Sequence, residues 1–155
     1  MKYSLKEIID MAVSIEDNGV YFYTKCADKF DDTSKKEFFL MLADEEKEHK
    51  KIFSSMLNTI PEAEGTFADE YYMYLNAITR QQVFKDIDSI DSYLEKVKSI
   101  GDIFITAIHT EQDSIMWYRE LLDMYKGDTK SIDVLNKLIA EEKKHIIRLY
   151  QVMNP

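Results

Sequence analysis

The stretch Glu45-Glu46-Lys47-Glu48-His49 recurs almost unchanged as Glu141-Glu142-Lys143-Lys144-His145. In each copy a glutamate and a histidine stand three residues apart, at positions where the surrounding pattern calls for leucine. Residues at this spacing share one face of a helix, with Cβ atoms roughly 5 to 6 Å apart. Each copy therefore predicts a helix whose buried face carries a carboxylate and an imidazole.

Four stripes of apolar residues, spaced by three and four, indicate four long amphipathic helices. They run from Leu5 to Phe30, from Phe39 to Ile60, from Ile100 to Tyr125 and from Leu135 to Val152. One glutamate interrupts each stripe near its middle. These four residues are Glu16, Glu46, Glu111 and Glu142.

Local signals predict where the helices begin and end. Ser4 and Glu7 fit a capping box before the first helix, and Thr33 opens the second. Pro61 stops the second helix and Gly127 closes the third. We expect residues 128–131 to turn the chain before the fourth helix.

The segment between Glu64 and Ser99 has weaker periodicity and is predicted to be a crossover. Within it, residues 71–75 and residues 90–97 suggest two short helices. Two hairpins of long helices joined by one long crossover favour an all-α, ferritin-like four-helix bundle. Residues 1–155 show no break in composition, which predicts a single domain.

Composition excludes several classes of protein. The formal charge is -9, with 29 acidic and 20 basic residues, which disfavours nucleic acid as a partner. No apolar run is long enough to span a bilayer and the N-terminus does not resemble a signal peptide, so a cytoplasmic location is expected. A lone Cys26 provides neither a disulfide nor a thiolate metal centre, and we interpret it as a small buried residue.

The two hairpins repeat one template. Glu111 follows Glu16 by 95 residues, and Phe22-Tyr23 aligns with Trp117-Tyr118 at the same shift. At a shift of 96, the motif at 45–49 aligns with the motif at 141–145. Any two amphipathic helices can share apolar positions, but a shared glutamate and histidine on the buried stripes is chemically specific.

Folding should bring four glutamates and two histidines to one level of the bundle. Uncompensated buried carboxylates cost several kcal/mol each or become protonated, whereas two divalent cations would cancel four charges. Arg119 and Arg148 lie off the stripes and cannot neutralise the acids there. We therefore predict a dinuclear metal site, and a hydrogen-bonded cluster of protonated glutamates is the alternative.

Other polar residues are interpreted as ordinary surface. His109 points away from the ligand face. The residues beside the predicted ligands are expected to be solvated; they are Glu45, Glu48, Glu141, Lys143 and Lys144.

The four helix motifs resemble those of the ferritin-like di-iron carboxylate superfamily, and most closely its rubrerythrin-like branch. The matching patterns are Ala12-x3-Glu16-x6-Tyr23, Glu46-x2-His49, Ala107-x3-Glu111-x6-Tyr118 and Glu142-x2-His145. The resemblance implies two iron ions, with manganese or a mixed pair as an alternative suited to carboxylate and imidazole ligands. It implies that Glu46 and Glu142 bridge the metals, with Glu16 and His49 completing one site and Glu111 and His145 the other.

The chain departs from typical rubrerythrins in two ways. The position of an additional glutamate, one turn after Glu111, is occupied by Ser114, and the thiolates of a rubredoxin centre are absent from the sequence. The first departure favours ferroxidase or manganese catalase-like chemistry over a metal that changes ligands. The second implies that a separate protein such as a rubredoxin donates electrons.

The leading functional hypothesis is an oxidoreductase that reduces hydrogen peroxide or oxidises ferrous iron with peroxide or dioxygen. Tyr23 and Tyr118, seven residues after the ligands Glu16 and Glu111, are candidates to donate hydrogen bonds to ligand carboxylates, with aromatic packing as the alternative. A non-catalytic iron storage or sensing protein is the main alternative function. A third is a scaffold that binds partners through the crossover tyrosines 71, 72 and 74, and the expected assembly is a homodimer.

Overall fold

A computed structural model describes residues 4–59, 69–125 and 128–155, apart from the side chain of Tyr72. Within these ranges the chain is all-α, as predicted, and contains no strand. The helices are α1 (Leu5–Ala27), α2 (Thr33–Leu57), α3 (Asp69–Gln81), α4 (Ile87–Lys96), α5 (Ile100–Met124) and α6 (Thr129–Met153).

The predicted capping box begins α1. The Glu7 backbone N–H donates to Ser4 Oγ at 3.3 Å, and the Ser4 backbone N–H donates to Glu7 Oε2 at 2.7 Å. Two N–H groups that the first turn would leave unpaired are thereby satisfied. The predicted start of α2 at Thr33 is also confirmed, and Asp32 caps it.

The prediction of a turn over residues 128–131 is wrong, because α6 already begins at Thr129. The side chain of Asp128 accepts hydrogen bonds from the backbone N–H groups of Lys130 and Ser131, so the residues expected to turn form the first helical turn. An aspartate is a strong N-cap for this reason. The stop signals at Pro61 and Gly127 lie outside the described residues, and α2 ends at Leu57.

The long helices pack as two hairpins, α1 with α2 and α5 with α6, as predicted. α1 also contacts α5, while α2 and α6 approach each other more sparsely. The crossover contains α3 and α4, close to the two short helices predicted there, although α3 is longer than residues 71–75. α4 packs against α1.

Two apolar clusters fill the bundle and leave a layer between them. The first contains Phe22, Phe39 and Phe104, and the second contains Phe53 and Trp117. In each long helix, the buried apolar residues of one half pack in the first cluster and those of the other half pack in the second. The midpoints of α1, α2, α5 and α6, where the glutamates interrupt the stripes, therefore meet between two hydrocarbon layers.

Several smaller predictions can be compared with the structure. Cys26 is buried and His109 is exposed, as expected, but Ile100 is half exposed because it occupies the first position of α5. The hydroxyls of Tyr71 and Tyr74 both donate to Glu120, and only Tyr74 is exposed. No helix within the described ranges combines the length and apolar character that a bilayer crossing requires.

The N-cap of α5 offers a test of the local structure that positions Glu111. Ser99 Oγ accepts a hydrogen bond from the backbone N–H of Asp102 at 3.1 Å. Ser99→Ala should lower the free energy of unfolding by about 1 kcal/mol, measured by urea denaturation, because it removes this cap. Ser34→Ala, at an exposed position inside α2, should cause no loss; equal losses in the two variants would contradict the capping role.

Candidate metal centre

Six polar side chains occupy the layer between the two apolar clusters. They are the six predicted ligands, and none is more than 4% exposed: Glu16, Glu46, His49, Glu111, Glu142 and His145. Each lies at the middle of its helix, so the antiparallel packing of the hairpins places all six at one level. The predicted convergence of these residues is therefore present.

One group of ligand atoms surrounds the imidazole of His49. Its Nδ1 atom lies 2.9 Å from Glu142 Oε1, 3.3 Å from Glu46 Oε2 and 3.7 Å from Glu16 Oε2. These residues come from three helices and both hairpins.

A second group surrounds the imidazole of His145. Its Nδ1 atom lies 2.9 Å from Glu142 Oε2, and 3.4 Å from both Glu46 Oε1 and Glu111 Oε1. In each group the candidate ligand atoms all lie within 4.8 Å of one another, as close as atoms that could hold one metal ion.

Glu46 and Glu142 belong to both groups. Each presents one carboxylate oxygen to His49 and its other oxygen to His145. The two imidazole rings are nearly parallel, with centroids 5.6 Å apart. Two carboxylates that each reach both groups have the arrangement that a bridged pair of cations requires.

The buried donor atoms lie close together, but most of them are not arranged to form hydrogen bonds with one another. Both oxygens of Glu16 and of Glu142, and Nδ1 of both histidines, have no partner in hydrogen-bond geometry among the described residues. Unpaired buried polar atoms are rare, and each calls for a ligand that supplies the missing interaction. Mixed carboxylate and imidazole donors suit iron or manganese, and the set contains no thiolate.

The surroundings of the buried carboxyl groups shift their pKa values in different directions. Burial, followed by the charge of Glu46, raises the pKa of both Glu16 and Glu111 well above the ordinary carboxyl value. Burial opposes ionisation of Glu46 as well, but the two imidazoles outweigh it and hold the pKa of Glu46 well below the usual range. Burial therefore favours the neutral form of Glu16 and Glu111, and the imidazoles favour the charged form of Glu46.

The carboxylates around the two histidines favour the protonated form of each imidazole. Burial disfavours their charged form, yet the surrounding carboxylates outweigh it, raising the pKa of His145 to about 12 and that of His49 still further. Protons and cations therefore compete for these donor atoms, and metal binding should release protons.

The interpretation of Glu45 and Glu141 as ordinary solvated residues is wrong. Glu141 Oε2 forms a 3.1 Å hydrogen bond with His49 Nε2, and Glu45 Oε2 lies 3.0 Å from His145 Nε2. Each glutamate thus contacts the histidine of the other hairpin. A carboxylate at Nε2 favours the tautomer that keeps its proton there and directs the Nδ1 lone pair at the metal.

Arg148 supports one of these outer carboxylates but not the other. Its Nη2 atom lies 2.9 Å from Glu45 Oε2, and its Nη1 atom donates to Glu45 Oε1 at 3.2 Å. Within the described ranges no arginine pairs with Glu141, and Lys137, whose side chain is largely exposed, lies 4.0 Å from it. The sequence pattern correctly placed Arg148 off the buried stripe. It did not indicate that Arg148 contacts Glu45, which in turn contacts His145.

The two tyrosines differ in their contacts. The Tyr23 hydroxyl donates a hydrogen bond to Glu111 Oε1, across from α1 to α5. Burial, followed by the charges of Glu111 and Glu46, raises the pKa of Tyr23 well above its ordinary value, so it remains a donor. The Tyr118 hydroxyl is buried and has no hydrogen-bond partner among the described residues, and its ring packs on Phe53.

Comparison with known proteins agrees with this geometry. The family model described as Rubrerythrin matches residues 7–100, more than half of the chain. No match was found among curated proteins.

Two solved structures share the fold. One, described as a ferritin-like diiron-carboxylate protein from Thermotoga maritima, is 24% identical with a TM-score of 0.77, covering 98% of this chain and 95% of that one. The other is a hypothetical protein from Pyrococcus furiosus, 22% identical with a TM-score of 0.69, covering 97% of this chain and 89% of that one. The predicted ferritin-like fold is confirmed.

Metal binding should depend on pH. Folding raises the pKa values of Glu16, Glu111 and both histidines. Above pH 6.5, the pKa of a histidine in the unfolded chain, the folded chain without metal therefore binds more protons than the unfolded chain. Its free energy of unfolding falls as the pH rises. For each proton that the metal displaces, the free energy of metal binding becomes more favourable by about 1.4 kcal/mol per pH unit. The rise in Tm caused by saturating Mn²⁺ should therefore be larger at pH 8 than at pH 6, by calorimetry. A rise independent of pH would contradict this account.

The outer carboxylates should affect metal affinity without binding metal. Glu141→Gln should weaken Mn²⁺ binding by about 10- to 100-fold, measured by isothermal titration, because a neutral amide replaces the charged acceptor that orients His49. Glu48→Gln is the matched control, since Glu48 is exposed and forms an ion pair with the exposed Lys51. Equal affinities in the two variants would show that Glu141 does not support the site.

Proposed function

The chain belongs to the rubrerythrin family, and from that premise we propose that it is a di-metal oxidoreductase that reduces hydrogen peroxide to water. The reaction breaks the O–O bond and consumes two electrons and two protons for each peroxide. The observation that carries the proposal is the division of Glu46 and Glu142 between the two histidine groups. That arrangement suits a pair of metal ions held close together.

In the proposed site, Glu16 and His49 would hold one ion, and Glu111 and His145 would hold the other. Two iron ions, or manganese in their place, would supply the two electrons when bound in the reduced state. Glu46 and Glu142 would each contribute one oxygen to each position.

The surrounding residues keep the site dry and correctly oriented. The aromatic cluster around Phe22, Phe39 and Phe104 covers one side of the layer, and the cluster around Phe53 and Trp117 covers the other. Excluding bulk water strengthens every electrostatic interaction at the centre. Tyr23 holds its proton at Glu111 Oε1 and so fixes the orientation of that carboxylate.

Electrons would come from a separate carrier protein. Cys26 is the single cysteine of the sequence and is buried, so this chain cannot form a four-thiolate iron centre of its own. A reduced rubredoxin is the natural donor to test first. Oxidation of ferrous iron by peroxide uses the same ligands and is the closest variant of the proposed reaction.

Metal analysis and turnover together test the proposal. Protein purified without added metal should contain two iron or manganese ions per chain and should consume hydrogen peroxide when reduced rubredoxin is supplied. Two bound ions without peroxide consumption or ferrous iron oxidation would overturn the proposed activity and favour storage or sensing.

Single substitutions should separate the shared ligands from the terminal ones. Glu46→Ala should abolish binding of both ions and reduce peroxide consumption to the level of buffer, because Glu46 contributes one oxygen to each group. His49→Ala should release chiefly one ion. Glu48→Ala, on the exposed face of α2, is the control and should retain both. Metal content measured by elemental analysis decides the matter, and a Glu46 variant with two ions would rule out bridging.

A further inference from the structure

A small cavity between α1 and α5 reaches the edge of the metal centre. Its volume is about 30 Å³, room for about two water molecules. The residues that line it include the candidate ligands Glu46 and Glu111, the small residues Gly19 and Ser114, and Gln82 and Phe84 from the crossover. A molecule of a few heavy atoms would therefore lie beside two of the candidate ligands.

Gly19 and Ser114 occupy equivalent positions in the two hairpins. Each stands three residues, or about one helical turn, after a ligand glutamate, and the two are separated by the same 95 residues that separate Glu16 from Glu111. Small residues at both positions leave the α1 and α5 side of the layer open. Larger side chains there would extend over the carboxylates.

Gly19 has a specific steric reason to lack a side chain. A Cβ atom on Gly19 would lie 3.3 Å from Cγ of Glu46, closer than most such contacts, and 3.5 Å from its Cδ, an ordinary contact distance. Glycine is among the poorest helix-forming residues, yet Gly19 stands well inside the 23-residue helix α1. The close approach of the Glu46 side chain accounts for it.

The opposite side of the centre is filled. Between α2 and α6, Glu141 contacts His49, Glu45 contacts His145, and Arg148 contacts Glu45. The two glutamates contact the outward-facing Nε2 atoms of both imidazoles. The cavity beside Gly19 and Ser114 offers an approach to the carboxylates from the α1 and α5 side.

The crossover covers the outer end of the cavity. The Val83 backbone N–H donates to Asp113 Oδ2 at 2.7 Å, which ties the segment between α3 and α4 to α5. The ring of Phe84 packs on Phe22, with centroids 4.9 Å apart. These two contacts hold the crossover residues beside the cavity that Gln82 and Phe84 help to line.

We propose that this cavity is the substrate port and that Gly19 and Ser114 determine the size of oxidant admitted, selecting hydrogen peroxide or dioxygen over organic hydroperoxides. The inference rests on the proposed function and adds to it the residues that set substrate size. Hydrogen peroxide has two heavy atoms and fits the volume. An alkyl hydroperoxide exceeds it.

Azide binding to the cobalt-loaded protein tests the port independently of turnover. Azide is a three-atom anion, and cobalt(II) absorption reports its binding. Gly19→Ala and Ser114→Val should each retain two cobalt ions per chain but weaken azide binding by about tenfold or more, because added methyl groups overfill the cavity. Gly101→Ala is the matched control, because its new Cβ would meet only Ser99 Oγ at 3.7 Å, and its azide affinity should equal that of the wild type.

Each outcome decides the proposal. Azide affinities within twofold of the wild type in both port variants would overturn it, as would loss of cobalt from both, which would show that the two residues only maintain the ligands. A wild-type protein that binds cobalt and azide but consumes no peroxide would overturn the proposed function and leave the port intact.

Discussion

The structure depends on the neutralisation of four carboxyl groups and two imidazoles enclosed between two hydrocarbon layers. Burial of the six side chains would be prohibitive if their charges were uncompensated. Burial raises the pKa values of Glu16 and Glu111, and the surrounding carboxylates raise those of the two histidines, so each of these groups favours its protonated form. Divalent cations compete with protons for the same donor atoms. The polar layer is therefore a binding site with two chemically different occupants, and pH sets which one is favoured.

The sequence alone predicts the helices and the ligand positions because both leave periodic signals. An apolar stripe shows which face of a helix is buried, and a glutamate on that stripe, such as Glu16 or Glu111, stands out as an exception. Glu45 and Glu141 leave no such signal, because each lies one position before a ligand and points partly outward. Their role depends on the distance between helices of different hairpins, and the periodicity of apolar residues gives no information about that distance. The one available clue was that both copies of the motif begin with the same pair of glutamates.

The two halves of the site are similar but not equivalent. The position that corresponds to Arg148 in the first hairpin is Ile52, so only Glu45 has a guanidinium partner. Likewise Tyr23 donates to Glu111, whereas the Tyr118 hydroxyl has no partner within the described ranges. The repeat predicted symmetry, and these differences arise from residues outside the repeated motif or from side-chain packing. They give the two metal positions different surroundings even though their nearest donors match.

The exchange of contacts between hairpins has a consequence for the ancestry of the chain. His49 is surrounded by Glu16 and Glu46 from its own half, and by Glu141 and Glu142 from the other. A shorter ancestor that encoded one hairpin would have possessed three of the four donor residues of one group and one of the four of the other. Two identical copies associated about a twofold axis would have completed both spheres at once. Duplication and fusion of such a gene would then convert an encounter between two molecules into a permanent intramolecular arrangement, after which each half could diverge separately.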